Sequence, residues 1–176
     1  MMKNSSDRYG VLSRAFHWIT AVLILAMLLL GNQMVDRIDA LRPTLFRYHR
    51  AVGLLVLFLV VLRLAWAKYS PPPSADPGME RAAKTVSRLV HWLLYSMLIV
   101  MPVLGWLMSS ASGEPIMLPF GVLLPAVIDP DPHIYIVLKV AHRSIAVVLV
   151  GFVLLHIAGA LNHLWIKKDA IFDRMG

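Results

Sequence analysis

The chain has 176 residues, 59% hydrophobic and only 15% charged, with a formal net charge of +7 and a mean hydropathy of +0.70. A soluble domain carries about 25% charged residues. The composition therefore excludes a disordered chain, a nucleic-acid-binding domain and an ordinary soluble enzyme, and leaves an integral membrane protein. The basic residues stand at the ends of apolar runs, a pattern of membrane topology rather than of nucleic-acid binding.

Four spans are expected, at about 13–35, 43–67, 88–110 and 134–166, because roughly 20 apolar residues cross a hydrocarbon core. The first holds a charge-free run from Ala15 to Val35. No A-x-A-like cleavage site follows it, so it reads as a retained span and not a signal peptide. The second opens near Pro43, a natural first helical residue. Its charge-free part, Ala51 to Leu62, is short, and Arg63 beyond it is expected to snorkel toward the interface. The third and fourth contain long charge-free runs, Leu89–Gly113 and Ser144–Ile166. Between them, Pro115–Ile128 is apolar but broken by Pro115, Pro119 and Pro125, and reads as an interfacial loop. Linkers fall at Ser70-Pro71-Pro72-Pro73-Ser74, Asp76-Pro77-Gly78 and Asp129-Pro130-Asp131-Pro132. One side of the membrane collects 11 Lys and Arg residues and the other 6, which places both termini in the cytoplasm. The expected architecture is all-α: a single-domain, multi-pass four-helix transmembrane bundle.

Histidine is rare inside spans and marks function there. This chain has seven. His142 and His156 in the fourth span are 14 residues apart, which puts them within roughly 40° of one helix face and about 21 Å apart in height. His17 matches His156 in depth and His49 matches His142. Each leaflet then has one axial pair for a b-type haem held without covalent attachment. The chain has no cysteine, so neither an iron–sulfur cluster nor a C-x-x-C-H haem attachment is available. Zinc lacks a carboxylate or thiolate at these depths, and all carboxylates lie in loops or tails, which removes a buried proton relay.

Neighbouring residues fit the same reading, each with a plainer alternative. Gly53, one turn beyond His49, either admits a flat macrocycle or allows close helix packing. Arg50 and Arg143 follow His49 and His142, and Arg14 and Arg88 stand at the other end; they either neutralise haem propionates or anchor helices. Ser13-Arg14-x-x-His17-Trp18 recurs as Ser87-Arg88-x-x-His91-Trp92, and His49-Arg50 as His142-Arg143, the trace of a duplication. This echo leaves His91 open as a ligand in place of His156, a propionate contact or a quinone-site residue.

With these residues in view, the sequence resembles the bacterial cytochrome b561 family of four-helix dihaem membrane proteins. The carrying motifs are Arg14-x-x-His17-Trp18, His49-Arg50-x-x-Gly53, His91, His142 with His156, and the tail Trp165-x-x-Lys168-Asp169 with Arg174-Met175. The resemblance implies two haem b groups, ligated by His17 with His156 and by His49 with His142, and makes His91 a non-ligand. It further implies electron transfer across the inner membrane. The leading expectation is oxidation of superoxide on the periplasmic side with reduction of ubiquinone. The alternative is a quinol-oxidising donor to a periplasmic redox protein, or the haem-carrying anchor subunit of one. Superoxide is an anion, so Arg50, Lys139 and Arg143, with Arg47, are the residues expected to steer it, although five carboxylates leave the periplasmic side a net charge of only +1. A quinone headgroup is expected near His163, Trp165 and Lys168, with Arg14, His91 and Asn162 as further candidates. His133 reads as a surface residue.

Overall fold

In hydrocarbon no water is present to satisfy backbone N–H and C=O groups, so an apolar run of spanning length must fold as a helix. The computed structural model describes residues 1–35, 38–74, 80–118, 121–167 and 174. Four α-helices account for most of them: α1 Val11–Val35, α2 Arg42–Tyr69, α3 Arg81–Ala111 and α4 Pro132–Leu161. Each is long and apolar enough to cross a membrane. A short π-helical turn, Asn162–Lys167, continues α4. Among the described residues the β-structure is one isolated bridge, Met117 with Leu123.

The helix ends follow local chemistry. Pro43 opens α2 in its first turn. At α4, Asp131 caps the N-terminus, accepting from the N–H groups of His133 at 2.7 Å and Ile134 at 3.0 Å, with Pro132 next. Helix α3 starts at Arg81, ahead of the apolar run that begins at Leu89. Nothing between Glu80 and Arg88 breaks a helix, so the backbone ladder continues past the point where the chain becomes polar.

Packing runs in chain order: α1 on α2, α2 on α3, α3 on α4. Helix α4 stands off α1 and α2 at the level of the backbone. At mid-bundle the separation is filled by side chains, where Val56, Val60, Leu98 and Leu149 form a buried cluster with Ile24 and Met27 against it. Most other apolar side chains, such as Val22, Leu29, Phe58, Val103 and Val147, point outward, as expected where lipid is the solvent.

Each end of the bundle carries its own closure. Beyond α3, the 113–130 loop turns at Gly113 and Gly121, both at positive φ, and folds back on the helix. Trp106 Nε1 donates to the Pro125 carbonyl at 3.0 Å, and the Val127 N–H to Ser110 Oγ at 3.2 Å. Among the described residues of this loop no membrane-spanning helix occurs. At the other end Asn4 is the knot. Its side chain donates to the carbonyls of Ser70 and Pro71 and accepts from the Gly10 N–H and Ser13 Oγ. Trp66 Nε1 in turn donates to Ser13 Oγ at 3.0 Å, tying α2 to α1.

Candidate functional site

Seven residues make nearly two helical turns, so side chains at that interval stay on one face. Four such stripes meet inside this bundle: His17-Ile24-Gly31 on α1, His49-Val56-Arg63 on α2, His91-Leu98-Gly105 on α3 and His142-Leu149-His156 on α4. Their middle members belong to the apolar cluster. Their outer members form two layers, one at each end, because neighbouring helices run in opposite directions.

In one layer His49 faces His142, with ring centroids 6.3 Å apart and planes inclined by 66°. The other two helices contribute glycines. A Cβ on Gly31 would lie 3.4 Å from His49 Cε1, and one on Gly105 would lie 3.7 Å from His142 Cε1. The Nδ1 atoms of both histidines are buried without a hydrogen-bond partner.

In the other layer His17 faces His156 at 6.2 Å between centroids. Here the remaining helices contribute polar groups. His91 lies against His156 at 5.1 Å, its Nδ1 2.6 Å from the Ser87 carbonyl. A carbonyl only accepts, so Nδ1 carries the ring proton in that contact. Arg63 Nη2 lies 3.0 Å from His17 Nδ1, and its guanidinium sits over the Tyr95 ring at 5.3 Å. Arg63 therefore turns into the bundle; the expectation that it snorkels outward is corrected.

The donor set can be tested against the expected group. A metal–imidazole bond is about 2.0–2.1 Å and a ring centre lies about 1 Å behind its nitrogen, so one metal between two rings needs centroids about 6 Å apart. Both facing pairs meet this, and His91 with His156 is too close. Two imidazoles supply only two ligands, and among the described residues no group of three or more His or carboxylate side chains is arranged to hold a bare ion. The remaining donors would have to come from a planar macrocycle, whose approach the side-chain-free Gly31 and Gly105 permit. The residues present fit a haem in each layer.

The other expected site residues fall as follows. The Arg50 guanidinium is paired with the Glu114 carboxylate at 2.5 Å, joining α2 to the 113–130 loop, and lies 5.6 Å from the Phe46 ring. Lys139 is exposed, its Nζ 5.8 Å from the Tyr135 ring; Arg143 is exposed. A Cβ on Gly53 would meet the Met27 Cε of α1 at 3.4 Å, at the edge of ordinary contact. Arg14 lines a pocket of about 280 Å³ with Lys3, Arg8, Tyr9 and Arg174 at the His17 end. Burial there, and then Tyr95, push the Tyr9 hydroxyl above its ordinary pKa. His163 and Trp165 lie in the π-helical turn, half-buried and exposed respectively. Lys168, together with Asp36, Arg37, the Asp76-Pro77-Gly78 linker, Pro119, Asp169 and Met175, lies outside the described residues. Gly31 and Gly105 were not singled out by sequence, and Arg63 only as an interfacial residue. The interval that links His142 to His156 also links His49 to Arg63, His17 to Gly31 and His91 to Gly105, and would have found all three.

Four membrane-crossing helices with facing imidazoles define an integral membrane protein of the histidine-ligated cytochrome class. The sequence profile of prokaryotic cytochrome b561 matches residues 8–176. The chain is 32% identical over 175 residues to Cytochrome b561 homolog 2 of Escherichia coli (strain K12), covering 98% of this chain and 93% of that protein. It is 26% identical over 174 residues to Cytochrome b561 homolog 1 of the same organism, covering 96% and 97%. It is 22% identical over 168 residues to a protein of Yersinia pestis named "Probable superoxide oxidase CybB", covering 96% and 95%. The chain belongs to the prokaryotic cytochrome b561 family. It is a haem b-binding electron-transfer protein of the bacterial inner membrane.

Proposed function

We propose that the chain binds two haem b groups, one held by His49 and His142 and the other by His17 and His156. It would oxidise superoxide at the periplasmic His49 end and reduce ubiquinone at the cytoplasmic His17 end. The carrying observation is the two facing imidazole pairs, at 6.3 and 6.2 Å between centroids, at opposite ends of one bundle. The likeness to a relative named for superoxide oxidation adds support. When bound, haem supplies the one-electron chemistry; the chain's residues hold, space and bias it. Two superoxide anions yield two oxygen molecules and two electrons, and one quinone takes up those electrons with two protons.

At the His49 end Lys139, Arg143 and Arg47 are the exposed cations that would draw in the anion. The charge of Arg50 is offset by Glu114, so its share in steering is the smaller. At the His17 end His91 holds its proton on Nδ1, which leaves Nε2 as an acceptor for a hydroxyl of the quinol product and not for the quinone carbonyl. His163 and Trp165, with Lys168, remain candidates for the headgroup.

The test is haem content per chain, by pyridine haemochrome, followed by mixing with superoxide and with ubiquinol. Two low-spin haems in the wild type, one in His142→Ala, and haem reduction by superoxide are expected. Reduction by quinol with no response to superoxide would replace this reading by the quinol-oxidising one. Two haems retained in His142→Ala would remove the ligand assignment.

A further inference from the structure

The two histidine layers are built alike except in what completes them. Around His49 and His142 the other two helices present Gly31 and Gly105, with neither charge nor side chain. Around His17 and His156 they present His91 and Arg63. Arg63 follows His49 on α2 by the same 14 residues that separate His156 from His142 on α4. In the duplicated pattern it stands where the other half carries a ligand. Its guanidinium touches His17 Nδ1 at 3.0 Å and lies over Tyr95 at 5.3 Å, and among the described residues no carboxylate pairs with it. At the opposite end Arg50, the cation adjoining His49 in sequence, is paired with Glu114.

We propose that Arg63 makes the His17/His156 site the easier of the two to reduce, and so sets the direction in which electrons cross the bundle. The inference rests on the dihaem reading and extends it. Reduction adds one negative charge to a site. A fixed positive charge within contact distance favours that state, and does so strongly where surrounding lipid and protein screen little. Arg is charged at every accessible pH, so its own share of the bias does not titrate. With haem bound at both sites, the step so biased would pass one electron from the His49/His142 site, oxidised from ferrous to ferric, to the His17/His156 site, reduced from ferric to ferrous. No bond forms or breaks and no proton moves. Superoxide supplies the electron in the proposed reaction, and Arg63 is a positioning residue, with its effect read as potential.

The experiment is a spectroelectrochemical redox titration of the haem-loaded protein. In Arg63→Gln one midpoint should fall and the other stay. Arg63→Lys, which keeps the charge, should remain close to the wild type. Combined with His142→Ala, Arg63→Gln should lower the midpoint of the single remaining haem; combined with His156→Ala it should move nothing. Unshifted midpoints in an Arg63→Gln protein that retains two haems overturn the proposal. A measurement independent of Arg63 variants uses the ligand variants alone. The haem that survives His142→Ala should have the higher midpoint, and the reverse order overturns the proposal. A wild type with fewer than two haems fails the dihaem reading instead.

Discussion

Gly31 gives the sharpest test of how the His49/His142 layer is assembled. A Cβ there would lie 3.4 Å from His49 Cε1 and 4.0 Å from Nδ1, at the edge of ordinary contact. Alanine adds that one carbon and gains helix propensity of about 1 kcal/mol over glycine, so Gly31→Ala should be neutral or slightly stabilising. Leucine adds a branch beyond Cβ, and the ring occupies that space. Overpacking of this kind costs about 1–3 kcal/mol or forces the neighbour aside, and the neighbour is a proposed ligand. Gly31→Leu should therefore lower stability in detergent and lower haem content toward one per chain. Gly159→Leu is the control, because a Cβ at Gly159 meets no atom within 4 Å. Thermal unfolding and pyridine haemochrome on the three variants read both effects. Equal stability and equal haem content in Gly31→Leu and Gly159→Leu would refute the placement of Gly31 against His49.

Three further outcomes follow from other parts of the bundle. Glu114→Gln should release Arg50 and loosen the 113–130 loop, seen as faster proteolysis of that loop. The accompanying loss of stability should be no more than about 1 kcal/mol, since Glu114 is 67% exposed. Asn4→Ala removes four side-chain hydrogen bonds. At the usual net worth of about 0.5–1.5 kcal/mol each, reduced by their partial exposure, the loss should be about 1–3 kcal/mol in chemical denaturation. The Asp131 carboxyl is held below its ordinary pKa by backbone N–H groups of Ile134 and then His133. Its contribution to stability is present above the ordinary carboxylate range and is lost as pH falls through the lowered value. The acid limb of the unfolding profile should flatten in Asp131→Ala; an unchanged limb would deny the cap that role.

The four helices were legible because a long apolar run has one solution in hydrocarbon. Their polar extensions were not: α3 begins at Arg81, where hydropathy gives no signal but nothing breaks the backbone ladder. Depth matched His17 with His156 and His49 with His142, the family resemblance set His91 aside, and the rings of both pairs face each other in the fold. The contacts of the side chains next to them were not legible in the sequence. Gly53 packs on Met27, Arg63 turns inward to His17, and Arg50 finds Glu114 across 64 residues of sequence.

The division has a physical origin. A helix rises a fixed 1.5 Å per residue, so the sequence by itself sets how deep each histidine lies and which depths coincide. The rotation of a helix about its own axis is set by the face it buries. Helices apolar on nearly every side, as α1 and α4 are, carry little information about that face. Only the packing of α1 on α2, α2 on α3 and α3 on α4 turns Gly31 and Gly105 toward two imidazoles and Arg63 toward a third. That rotation sets glycines beside one histidine pair and a guanidinium beside the other.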